Sequence, residues 1–181
     1  MNYTQDMNLL STSGYCMPFE EKDRDVQLTL RYGKQKHPKT GESFFHHGID
    51  FKTNNYFLAA VADGVVSGIG IDRKQYGLYV VIKYSKYEVT YSHMSNVFMQ
   101  FGQQVKAGLT VGVSSDLLHM EVKYDGEEID PVEFITMLYG NAKTWSEKGK
   151  AQPEFIAIDM DVHTDYDNDK GEIEKLMMRF F

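Results

Sequence analysis

Tyr79-Val80-Val81-Ile82-Lys83-Tyr84, the turn Ser85-Lys86-Tyr87, and Glu88-Val89-Thr90-Tyr91-Ser92-His93 set two β-branched, aromatic runs on either side of a short polar break. They read as adjacent antiparallel strands. Outward from this pair the chain keeps the same rhythm. Toward the N-terminus, residues 26–32 alternate as a strand and residues 33–43 form a turn-rich loop around His37-Pro38-Lys39-Thr40-Gly41. Residues 48–52 make a second short strand. Residues 57–66 are apolar around Asp63-Gly64, a hairpin signal continued by Val65-Val66-Ser67-Gly68. Toward the C-terminus, Gly102, Gly108 and Gly112 punctuate Val105 and Leu109-Thr110-Val111, and residues 117–123 form a last core strand. The turn Asp125-Gly126 follows, and Asp130-Pro131 opens a helix with proline at its first position.

Beyond Tyr139 the character changes. Residues 140–152 are polar and read as a linker or short helix, residues 153–160 as a strand, and residues 159–169 as an acidic loop. Residues 171–181 carry Ile173, Leu176, Met177 and Phe180 at helical spacing. The expectation is a mainly β, antiparallel core at 24–139, an N-terminal extension at 1–23, and a small α/β appendage at 140–181. The appendage offers a contact surface for a larger assembly.

The 181 residues suffice for one domain with a real core. A net charge of −7 excludes the basic footprint of a nucleic-acid binder. The lone Cys16 makes no internal disulfide. No window is long and apolar enough for a membrane span, and residues 1–20 show no secretory h-region. The expected location is the cytoplasm at synthesis, with delivery to a virion or the cell wall afterwards. Asp165, Asp167 and Asp169 resemble a calcium loop, but Lys170 and Leu176 stand where that template needs Gly and Glu. An acidic, solvated loop is the better reading, with His163 exposed beside it.

Two short motifs carry chemistry. Phe45-His46-His47-Gly48-Ile49-Asp50 and Leu117-Leu118-His119-Met120-Glu121-Val122 together offer His, Asp and His, the ligand set of an open zinc site. Side chains alternate along a strand, so positions 117, 119 and 121 share one face. Singly, His46 and His119 read as ordinary polar residues.

Their order along the chain changes that weight. Thr29-Leu30-Arg31-Tyr32-Gly33, His37-Pro38-Lys39-Thr40-Gly41, His46-His47-Gly48-Ile49-Asp50, Ala62-Asp63-Gly64-Val65-Val66, Tyr76-Gly77 and Thr90-Tyr91-Ser92-His93-Met94 come in succession. The glycine series from Gly102 to Gly112, then His119-Met120-Glu121-Val122, then Ile129-Asp130-Pro131 complete it. Over residues 24–137 the chain resembles the lysostaphin-type (LytM-like) zinc endopeptidases. The resemblance implies a compact antiparallel sheet or sandwich of the duplicated-hybrid-motif kind, Zn²⁺ as cofactor, and hydrolysis of peptide bonds in peptidoglycan stems or cross-bridges. It implies His46, Asp50 and His119 as zinc ligands and His93 as a catalytic histidine. Tyr91 and Leu117 are expected to contact substrate.

In one place the chain departs from that pattern. The first His of the family's His-x-His motif falls at Leu117, which neither donates a hydrogen bond nor moves a proton. General acid–base help from one side chain is worth about 10²–10⁴-fold, or about 3–5 kcal/mol of barrier. Glu121 is a weak substitute. The sequence thus leaves two readings open: a zinc endopeptidase of reduced activity, or an inactive module that binds wall peptides or serves a phage or transfer-machinery assembly.

Overall fold

A computed structural model describes residues 3–20 and 26–150. The expected acidic loop at 159–169, the terminal helix at 171–181 and His163 lie outside the described residues.

The central pair of runs forms as expected. One strand, β7, spans Gly77–Tyr84 and the next, β8, spans Tyr87–Val97. They pair antiparallel through Ser85-Lys86, with Ser85 at φ 55° in the first central position of the turn. The element that organises everything else is β10, Thr110–Tyr124, which runs beside β8. On its other side lie β4, Ile49–Lys52, and then β1, Gln27–Leu30. Beyond β7 the sheet continues through β6, Gly64–Asp72, to β9, Gln104–Val105. Two short strands, β5 (Phe57–Ala59) and β11 (Glu127–Ile129), also pair with β10. All these pairings are antiparallel, as a chain joined by short turns favours.

Several local expectations are corrected. Residues 33–43 do not form a loop throughout: β2 (Gly33–Lys36) and β3 (Ser43–His46) pair as a separate two-stranded ribbon. Asp63-Gly64 is not a hairpin turn, because β5 pairs with β10 while β6 pairs with β7 and β9. Neither Asp63 nor Gly64 has the positive φ of a type I′ turn, whereas Asp125 (φ 52°) and Gly126 (φ 89°) both do and close the β10–β11 hairpin. The last core strand, expected over residues 117–123, begins earlier: residues 113–116 also lie inside β10, with the register shifting there against β8.

The helix α1 spans Pro131–Glu147, and the Asp130 carboxylate caps it by accepting from the Val132 N–H at 2.9 Å. It runs unbroken through residues 139 and 140, so the expected division there falls inside an element. Its apolar face packs Phe134 against Tyr87 and Tyr84, with ring centroids 4.8 and 6.5 Å apart. Residues 3–20 are not an extension. Met7, Leu9, Tyr15, Cys16 and Phe19 are buried in the same core as the sheet and the helix. Phe19 meets Phe51 edge-on, and Tyr15 meets Trp145. Among the described residues, no helix is long and apolar enough to cross a membrane.

Candidate metal centre

The site is assembled where β3, β4, β10 and β8 meet. In the antiparallel register His119 lies directly opposite Asp50 on β4 and opposite Ser92 on β8. His46 ends β3, and the buried Gly48 lets the chain turn from there into β4 against β10. A Cβ at Gly48 would strike the Met120 carbonyl and stand 2.7 Å from His119 Cε1. No larger residue fits that approach without displacement.

One ligand atom each from His46, Asp50 and His119 lies within 4.8 Å of the others. His46 Nε2 is 3.3 Å from Asp50 Oδ1, and His119 Nδ1 is 2.6 Å from the same oxygen. The side chains are 12, 19 and 10% exposed, shielded yet reachable. The tautomers follow from the outer contacts. His46 Nδ1 lies 2.9 Å from the Arg31 carbonyl oxygen, which only accepts. Nδ1 therefore carries a proton, and Nε2, 3.3 Å from Asp50 Oδ1, is the nitrogen left to bind a metal. His119 Nε2 lies 3.1 Å from Glu121 Oε1, and the Tyr76 hydroxyl donates to that same oxygen at 2.9 Å. Burial works to lower the His119 pKa, but the hydrogen bonds and charges of Asp50 and Glu121 outweigh it and push it up to about 9. Burial tends to raise Glu121, yet its bonds to His119 and Tyr76 bring it below the ordinary carboxylate value.

These residues fit a zinc ion. Two ligands about 2.0–2.2 Å from a tetrahedral ion stand roughly 3.3–3.6 Å apart, close to the His46–Asp50 separation already present, while the 2.6 Å His119–Asp50 hydrogen bond would open by under about 1 Å to admit the ion. The two imidazoles are each turned by a partner on the far ring nitrogen, the arrangement that fixes ligand orientation at metal sites.

His93 sits on β8 in a left-handed conformation, φ 58°. Its N–H donates to the Tyr76 carbonyl at 2.8 Å. The kink breaks the alternation of β8: Tyr91 and Met94 both lie in the core, three residues apart, and half-buried His93 escapes it. Burial and the charge of His119 lower its pKa against the opposing pull of Asp50. Tyr91, expected to contact substrate, is corrected. It is 1% exposed on the core side of β8, opposite Met120 and beside Tyr84. Leu117 is partly exposed and pairs with Lys52, two residues along from the His119–Asp50 pair, and so shares their face. The motifs pointed to His46, Asp50, His119 and His93. Tyr76 was visible only as half of Tyr76-Gly77, with nothing in the sequence to connect it to Glu121.

The family model of peptidase family M23 matches residues 44–131. Residues 44–131 are an M23 domain. It contains His46, Asp50, Tyr76, His93, Leu117, His119 and Glu121, with Arg31 alone of the site lying before it, and the antiparallel sheet is the fold of the family. A peptidoglycan DD-endopeptidase, ShyB, of Vibrio cholerae is 33% identical over 118 residues, covering 59% of this chain and 27% of that protein. The murein hydrolase activator NlpD of Escherichia coli is 31% identical over 96 residues, covering 49% of this chain and 25% of NlpD. A crystal structure of a zinc-containing peptidase from Vibrio cholerae superposes with a TM-score of 0.57 at 26% identity, over 66% of this chain and 39% of that one. The chain spans about a quarter of the length of the curated relatives it matches. The M23 domain is thus the shared part, and residues outside 44–131 complete its core in this chain.

Proposed function

We propose that this chain is a zinc-binding, peptidoglycan-endopeptidase-like protein that hydrolyses peptide bonds in cell-wall stems or cross-bridges at reduced rate. The observation that carries the reading is the convergence of His46, Asp50 and His119 on one point, with their outer nitrogens already turned by Arg31 and Glu121. Held by His46, Asp50 and His119, zinc would supply Lewis-acid polarisation of a carbonyl and lower the pKa of a bound water from 15.7 to about 7. The protein's own residues supply the rest. His93 is held by the Tyr76 carbonyl at the rim and kept on the neutral side of its ordinary range. A neutral imidazole there can orient the attacking water or take its proton. Leu117 occupies the face where a second proton carrier would stand, and its aliphatic side chain moves no proton.

That substitution favours a second reading. A site with its ligands in place and one further histidine, His93, beside them is suited to holding wall peptides without cutting them, and one relative is named as an activator of murein hydrolases rather than as a peptidase. The deciding experiment measures new amino groups released from purified peptidoglycan by zinc-loaded protein, with a chelator control. Chelator-sensitive release establishes the peptidase. No release from metal-replete protein overturns it in favour of the binding module.

A further inference from the structure

The two histidine ligands are held in different ways. His46 is oriented by a backbone carbonyl, which no side-chain substitution removes. His119 is oriented by a side chain that is itself held: Glu121 Oε1 faces His119 Nε2 at 3.1 Å and accepts from the Tyr76 hydroxyl at 2.9 Å. Because Glu121 follows His119 by two residues on β10, strand alternation puts both on the site face. Tyr76 reaches the pair from the turn before β7, where its carbonyl also receives the His93 N–H. It therefore touches both sides of the site.

Two other roles for Glu121 fail on geometry. It meets the imidazole edge opposite the one that faces Asp50, so it does not share an ion with Asp50 and His119 Nδ1. Its Oε1 already takes two donors on that far side, so it does not stand in for the proton carrier absent at Leu117. The side chain is 12% exposed, and an unpaired carboxylate would be costly there. What remains is orientation. A carboxylate at Nε2 keeps the proton on that nitrogen and leaves Nδ1 as the ligand atom.

We propose that Tyr76 and Glu121 are positioning residues that fix the ring and tautomer of His119, and thereby set the metal affinity of the His46–Asp50–His119 site. This rests on the metal-centre reading above. Tyr76 aligns the carboxylate, the carboxylate aligns the imidazole, and the chain of contacts ends on the ligand atom.

The test is zinc affinity, by competition with a chromophoric chelator at fixed pH, on the full chain and on E121A, E121Q and Y76F. Visible absorption of the Co²⁺-loaded proteins reports ligand geometry in parallel. Metal-free unfolding midpoints separate an affinity loss from loss of the fold. Expected are a loss of about 10–100-fold in E121A, recovery of most of it in E121Q, whose amide oxygen still accepts from Nε2–H, and a smaller loss in Y76F. The Co²⁺ bands of E121A should shift and those of E121Q should not. Wild-type affinity in a folded E121A overturns the proposal alone. An equal loss in E121Q and E121A also overturns it, since orientation by an accepting oxygen would not matter. If the wild type takes up no zinc, the metal-centre reading itself falls, and this proposal with it.

Discussion

At Gly48 the site tolerates no side chain. Its φ is not in the left-handed region, so the restriction is steric: an added Cβ meets the Met120 carbonyl and His119 Cε1. Gly48→Ala should push β4 away from β10 or rotate His119. Overpacking of this kind costs about 1–3 kcal/mol, and a rotated His119 no longer presents Nδ1. Calorimetry should show a lower melting temperature, and titration a large loss of zinc affinity; unchanged affinity would mean that His119 moves freely, against the geometry described. Leu117→His acts on a different term. It adds a proton carrier on the same face without touching a ligand, so zinc affinity should hold while peptidoglycan cleavage rises. The gain should sit near the lower end of the general acid–base range of about 10²–10⁴-fold, because position 117 is partly exposed and a histidine there is not held in one orientation. At this scale the sequence was legible where a motif names its own chemistry, as with His46, Asp50 and His119. It misplaced Tyr91 because strict alternation fails at one residue, His93, whose positive φ no pattern of side chains reveals.

At the scale of elements, hydrophobic runs with a true turn between them were read correctly, as β7 and β8 show. The ribbon β2–β3 was missed because Gly33-Lys34-Gln35-Lys36 is polar on both faces and offers no period to read. Asp63-Gly64 misled for the opposite reason. It has a hairpin's residues, but Asp63 serves a contact distant in sequence: its carboxylate accepts from the N–H groups of Thr12 and Ser13 and from the Thr12 hydroxyl. Desolvation opposes, yet those donors together outweigh it and bring its pKa down to about 2. A group whose folded pKa lies below its unfolded value contributes stability that is present above the unfolded value and lost as pH falls through the folded one. The contribution of Asp63 is therefore complete above about pH 4 and gone below about pH 2. Asp63→Asn should cost about 1 kcal/mol at neutral pH, the carboxylate being partly exposed and so screened by solvent. Denaturant midpoints measured from pH 6 to pH 2 should converge for wild type and variant as pH drops. Parallel curves would remove the carboxylate from the account. The helix cap is a simpler case. Asp130→Ala should lower stability by about 1 kcal/mol at neutral pH, read in the same assay.

Across the whole molecule, the least legible feature is that residues 3–20 complete the core. Their apolar residues follow neither a helical nor a strand period, since the segment is mostly irregular and contacts both α1 and the sheet. What holds it is distributed. The Tyr87 hydroxyl donates to the Met7 carbonyl at 2.7 Å, Asn141 donates to the Leu9 carbonyl at 3.1 Å, and Cys16 N–H donates to Val61 at 2.9 Å. Burial drives the Cys16 thiol up to about 12, so it serves as a small apolar group that donates to the Ala60 carbonyl. Burying a large apolar side chain is worth about 1.5–3 kcal/mol, so exposing Leu9, Tyr15 and Phe19 together removes a gross term comparable in size with the net 5–15 kcal/mol that holds a typical domain together. Removing residues 1–20 should therefore do more than trim an end. It uncovers Phe51, Tyr87 and the inner face of α1 at once, and so loosens β4 and β8, the strands that carry Asp50 and His93. The shortened protein should lose its cooperative thermal transition or fall insoluble, and lose zinc affinity even though every ligand is retained. A truncated chain that melts cooperatively within a few degrees of the full one, with zinc affinity intact, would show that the M23 domain carries its own core and that the N-terminal segment merely covers it.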